Sequence, residues 1–184
     1  MKRFRIHAQI AFIILFFTSG AYADEVCSQP EKVNMANVAD LVVPNSPYSL
    51  GICYLPEVVK KDVLVDHQDL IELKIHNRII ARHRTRMSVT VGRIADLVLE
   101  KATDRFISVS YGAGEFCNGI VIFDVQRKKV AAQQGCLSLS DQCHVTELLD
   151  AECRATVECK DGGAEGEPPL RKDIIRKKFE LCSS

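Results

Sequence analysis

The placement of the cysteines constrains this chain more than any other feature. All eight (Cys27, Cys53, Cys117, Cys136, Cys143, Cys153, Cys159 and Cys182) follow an N-terminal segment patterned as a secretory leader. That segment carries Lys2, Arg3 and Arg5, then the apolar run 10–17, then Ala21-Tyr22-Ala23 as a small-residue cleavage site. The run is eight residues long, whereas a spanning helix needs about 20. Residues 1–23 are therefore expected to be a cleaved signal peptide. Residues 24–184 are expected to form a single β-rich domain, periplasmic or secreted, with no membrane span after cleavage. An even number of cysteines in an exported chain reads as a disulfide framework. No pair has C-x-x-C spacing, and no histidine stands at a zinc-ligand offset from a cysteine, so no metal is expected.

The whole chain balances 24 basic against 24 acidic residues. Without the leader, 21 basic and 24 acidic residues remain, a net charge of −3. That argues against a general nucleic-acid binder, which carries a strongly basic domain. An apolar content of 47% argues against a disordered chain.

The local patterning is β throughout. Leu70–Ile75 alternates, His76-Asn77 follows, and 78–84 returns, which predicts a hairpin because Asn tolerates the positive φ of a two-residue turn. Asn118–Val125, the turn 126–128 and Lys129–Ala132 predict a second hairpin, preceded by a strand at Phe106–Tyr111. Residues 93–102 fit either a helix or a strand. An internal repeat bears on that choice. Val38-Ala-Asp-Leu-Val-Val43 matches Ile94-Ala-Asp-Leu-Val-Leu99 at an offset of 56. Each copy leads through a polar turn into a strand and then a hairpin. A weaker third unit runs through 144–149, 154–158, 173–175 and 178–181. The expected units are 38–86, 94–136 and 144–182, each a meander of four short strands.

This pattern, above all Phe106–Ala132 with Asn118-Gly-Ile-Val-Ile-Phe-Asp124, resembles the blades of β-propellers of the WD40 or TolB kind. The resemblance implies a mainly β fold of antiparallel blade-like units. Closed propellers have about four to eight blades, so three units imply an open stack or a homodimer that completes a ring. The alternative fold is an unrepeated β-sandwich or barrel. Strand pairing predicts Cys117–Cys136 across the second hairpin and Cys143–Cys159 across the turn at 150–152. Cys27–Cys53 would then fasten the N-terminal arm, and Cys153–Cys182 the last strand.

No G-x-S-x-G, H-E-x-x-H, P-loop or G-x-G-x-x-G motif is present. Gly112-Ala-Gly114 reads as a turn, not a phosphate cradle. A cysteine nucleophile beside His67, His76, His83 or His144 would need one thiol to escape pairing. The most polarised stretch is 74–93, with Lys74, Arg78, Arg82, Arg84, Arg86 and Arg93 and no acid. In a strand, Arg82, Arg84 and Arg86 share one face and His83 the other. Such a row either meets an acidic partner or protects an edge strand from aggregation; the loop 161–167 offers an internal acidic counterpart. The sequence thus predicts an exported, non-enzymatic binding protein that takes no cofactor. Its binding residues are Lys74, Arg78, Arg82, Arg84 and Arg86, and its partner is a protein or another acidic macromolecule. An enzyme inhibitor and an envelope assembly factor are two forms of that role. The alternative is a small cell-envelope hydrolase.

Overall fold

The computed structural model describes Cys27 and residues 40–56, 58–60, 63–87, 93–112, 118–135, 141–161 and 174–183. At 58–60, 63–67, 86, 87, 141 and 161 it describes the backbone path alone. The leader, Cys117, Cys136 and the loop 162–173 lie outside the described residues. Every described regular element is a strand, and no described helix is long and apolar enough to cross a membrane.

The strands form three antiparallel sheets. The first contains β1 (Leu41–Val42), β2 (Tyr48–Tyr54), β3 (Val58–Lys60), β4 (Val63–Ile75) and β5 (Arg78–Met87). β2 and β3 run in succession along β4, with Tyr54 opposite Asp69 and Val58 opposite Asp66. The Leu55 amide donates to the Gln68 carbonyl between them, and Pro56, which has no N–H to give, marks the interruption. The sheet therefore has four strand positions. The second sheet is β6 (Asp96–Ala102), β7 (Phe106–Gly112), β8 (Asn118–Asp124) and β9 (Lys129–Gln134), paired in that order. The third is β10 (Asp141–Leu149), β11 (Arg154–Asp161) and β12 (Ile175–Glu180).

Both predicted hairpins form. His76 and Asn77 have φ of 47° and 65°, the double left-handed turn that matches strand twist. In the β8–β9 turn the Asp124 carboxylate accepts from the Gln126 and Arg127 amides at 3.1 and 2.9 Å. The ambiguous 93–102 segment is a strand from Asp96 onward, bulged between Leu99 and Lys101. The expectation of four strands in the third unit is corrected. The stretches expected near 173–175 and 178–181 join as the single strand β12, and this sheet has three strands among the described residues. No barrel closes among the described residues.

The middle sheet is buried on both faces. On one side Ile107, Val109, Tyr111, Val121 and Phe123 pack with Leu50, Ile71, Leu73 and Ala81 of the first sheet. On the other, Phe106, Ile120 and Ile122 pack with Val145, Ala155, Val157 and the Cys143–Cys159 disulfide of the third. Alternation makes this possible, since neighbours along β7 and β8 serve opposite cores. Both ends of the stack carry charged and polar side chains. Beyond β11, Glu158 pairs with Arg176 at 2.6 Å and the Thr156 hydroxyl donates to Glu147 at 2.8 Å. The far face of the first sheet carries Glu72, Lys74 and Arg82 beside a small buried cluster of Cys53, Leu55 and Leu70. Polar end faces are what terminate a stack of layers in water.

The repeated hexamer does not mark equivalent positions. β1 lies beside β6 and β5 beside β9. Residues 79–82 border 128–130 while 83–85 border 133–135, so the two edge strands run in the same direction. In-phase copies would point the same way along such a stack. Instead Leu41 and Val43 of the first sheet meet Leu97 and Leu99 of the second in one core. The described parts of the copies differ by one pleat, which reverses the direction of their side chains in the stack.

Three disulfides form among the described residues, each within or onto a single sheet: Cys27–Cys53, Cys143–Cys159 and Cys153–Cys182, the partners read from the sequence. Bonds of this kind suit an oxidising compartment. Phe106 and Phe123 are fully buried on opposite faces of the middle sheet. Phe106→Ala and Phe123→Ala should each lower the urea-unfolding free energy by about 3–5 kcal/mol.

Candidate functional site

β5 is the outer strand of the first sheet and separates two surfaces. Arg82 pairs with Glu72, and Arg84 with Leu70, while His83 faces the opposite way beside Ile71. The predicted division of side chains thus holds for the described residues. On the outer face Glu72 is buried, and two cations converge on it: Arg82 Nε at 3.1 Å and Lys74 Nζ at 3.7 Å. Lys74 also pairs with Asp40 at 3.0 Å. Arg84 donates to the Gln68 side chain at 2.9 Å and is exposed. Arg78 is exposed beside the hairpin turn. Arg86 is placed by its backbone opposite Gln68. The structure brings Lys74 and Arg82 together through Glu72, and Arg84 continues the row, while the bulge between Leu73 and Lys74 places Arg78 opposite Ile75 and takes it off that face. Cys27 and Cys53 lie within 4.8 Å of the Glu72 carboxylate. Their sulfurs are bonded to one another, so they form a staple and not a thiolate ligand pair.

Arg93, from the same basic stretch, has a different role. Its guanidinium contacts the fully buried Asp69 at 2.7 Å and donates to the Leu55 carbonyl at 2.9 Å. The other Asp69 oxygen accepts from the Ile94 amide at 3.1 Å. The Tyr54 hydroxyl donates to the Ile94 carbonyl, and Arg93 lies over its ring. Burial, reinforced by the Asp69 charge and opposed by Arg93, pushes the Tyr54 phenol up to about 12. This group anchors the connection between the first two sheets. No spacing rule links residues 69 and 93, and the sequence reading missed the pair.

A matching group joins the second and third sheets. Arg105 makes two hydrogen bonds to the fully buried Asp124, at 3.1 and 2.9 Å. Burial pushes the Asp124 carboxyl up, but hydrogen bonds from Arg105 and the Arg127 and Gln126 amides outweigh it and hold the group below its ordinary value. Asp150 accepts from Thr103 Oγ1 and from the Arg105 amide. Arg127 donates to the Cys182 carbonyl at 3.1 Å.

On the inner side of β5, His83 contacts the Tyr111 ring with centroids 5.7 Å apart. Tyr111 lies across Gly119, its partner on β8, where a Cβ would stand 2.4 Å from the ring. Only glycine admits that approach. These side chains border an open groove of about 570 Å³ between β5 and β9, which also has Thr85, Gln133, Gln134 and Gly135 along it. Burial lowers the His83 imidazole from 6.5 to about 4 and pushes the Tyr111 phenol up to about 12. A second groove, of about 500 Å³, continues the seam between Ile79–Arg82 and Lys128–Val130.

Among the other histidines, His76 occupies the hairpin turn, and His144 lies 3.3 Å from Glu100. The His67 side chain is outside the described residues. No described cysteine is free, so none of them supplies the nucleophile considered from the sequence. No family model, curated protein or solved structure matches the chain.

The depressed His83 value has a defined consequence for stability. The unfolded imidazole accepts a proton near pH 6.5 and the folded one near 4. The contribution is therefore complete above about pH 6.5 and is lost as pH falls toward 4, by up to about 3 kcal/mol. Unfolding free energies measured from pH 7 to 4 should fall less steeply in His83→Phe than in the wild type.

Proposed function

We propose that this chain is an exported, non-enzymatic binding protein that recognises an acidic protein surface through the outer face of its first sheet. The observation that carries this reading is the pair of cations Arg82 and Arg84 on the outer face of β5, at the end of the stack, with Arg78 exposed beside the hairpin turn. Clustered cations steer an acidic partner toward encounter and set its orientation. The disulfides support a periplasmic or secreted location reached by way of the leader. A role as an inhibitor of an envelope or secreted enzyme, or as an envelope assembly factor, fits this reading. Such roles require a rigid surface and no chemistry of the protein's own.

Arg82 is unsuitable for a first test, because its loss would strip the buried Glu72 of one of its two cations. The test uses Arg78→Ala, Arg84→Ala and Arg86→Ala together, with the mature oxidised protein as bait in cross-linked capture from an envelope or secreted-protein extract. A dominant partner should be retained at low salt and released as salt rises. The triple variant should bind it at least about tenfold more weakly, with a flatter salt dependence. Unchanged affinity and salt dependence would remove the basic row from the function.

A further inference from the structure

We propose that the groove between β5 and β9, floored by Tyr111 and walled by His83 and Gln134, binds a neutral, hydroxyl-bearing ligand of the saccharide class. This site is independent of the basic face, which lies on the other side of the first sheet. His83 is 6% exposed, lines the groove, and has no hydrogen-bond partner at Nε2. A buried polar atom left unpaired costs about 1–3 kcal/mol, and a ligand that supplies the missing bond recovers that cost. The groove volume falls within the range of about 300–1,000 Å³ found for small-molecule sites.

The lining selects the ligand's chemistry. His83, Thr85, Tyr111, Gln133 and Gln134 present imidazole, hydroxyl, phenol and amides, and no carboxylate lines the groove among the described residues. Arg84 borders it, but its guanidinium reaches Gln68 on the outer face. Among the described residues a cation would find no counter-charge in the groove, and the nearby cation Lys177 is already hydrogen-bonded to Gln134. A purely apolar molecule would leave the His83 nitrogen unsatisfied. A hydroxyl both donates and accepts, so it serves either imidazole tautomer. The Tyr111 ring offers an aromatic surface to the C–H side of a sugar ring. Entry requires one wall to give, and the Gln134 amide can do so. It is held by Lys177, which donates to it at 2.6 Å, and by its own donation to the next carbonyl, Gly135, at 2.7 Å.

The test is a titration of the ¹⁵N-imidazole-labelled full mature chain with maltose and with chitobiose, followed by NMR at neutral pH, with acetate as the anionic control. The His83 Nε2 resonance should move saturably with at least one sugar, while those of His76 and His144 stay in place. His83→Phe should abolish binding, and Gln133→Ala should weaken it about tenfold. Gln133 is exposed on β9, so that variant decides the matter even where His83→Phe fails to fold. Absence of saturable movement with both sugars would overturn the proposal. So would equal affinity in Gln133→Ala and wild type, or a response to acetate alone.

Discussion

The whole architecture depends on one sheet that is buried on both sides. β8 carries apolar residues at successive positions, and every residue of β7 is buried, Ser108 and Ser110 included, so neither face meets water. Each face takes its own cover, the first sheet on one side and the third on the other. A sheet buried on both faces has a near-continuous apolar sequence instead of an alternating one, and Gly119-Ile-Val-Ile-Phe123 has that form. The covering sheets need only one apolar face each, and their far faces are free to carry Glu72 and Lys74 or Glu158 and Arg176. The stack ends where polar faces begin.

Polar contacts then fix how the layers sit on one another. Asp69 with Arg93 and Asp124 with Arg105 each bury a carboxylate completely and surround it with donors from an adjoining segment. Removing one member of such a pair leaves an uncompensated charge, which is why buried pairs resist change even where they add little net stability. The first group stands where the chain crosses from the first sheet to the second, and the second reaches the third sheet through Asp150, which accepts from Thr103 and the Arg105 amide. Apolar packing alone tolerates sliding of one layer over another. These hydrogen bonds do not.

β5 shows how a single strand can serve two surfaces. Pleating sends Arg82 and Arg84 outward and Ala81, His83 and Thr85 inward. The cations that keep the outer edge solvated thereby share a backbone with the imidazole that lines the inner groove. Keeping His83 neutral in its buried position favours hydrogen bonding over charge, while the outward row works through charge alone.

The sequence by itself determined the β class, both hairpins, the sharing of one face by Arg82 and Arg84, and the Cys143–Cys159 disulfide. All of these follow from local alternation, from turn residues that tolerate positive φ, and from two cysteines placed symmetrically about a turn; Cys27–Cys53 and Cys153–Cys182 were then paired from the cysteines that remained. It also placed three successive units, although the last has one strand fewer than expected. The orientation of the repeated hexamers, the pairing of Asp69 with Arg93, the neutralisation of Glu72 by Lys74 and Arg82, and the groove beside His83 were decided only by the tertiary structure. The reason is physical. Pairing register and layer stacking join residues far apart in the chain, and a shift of one residue in either exchanges the faces of a strand while leaving its pattern unchanged.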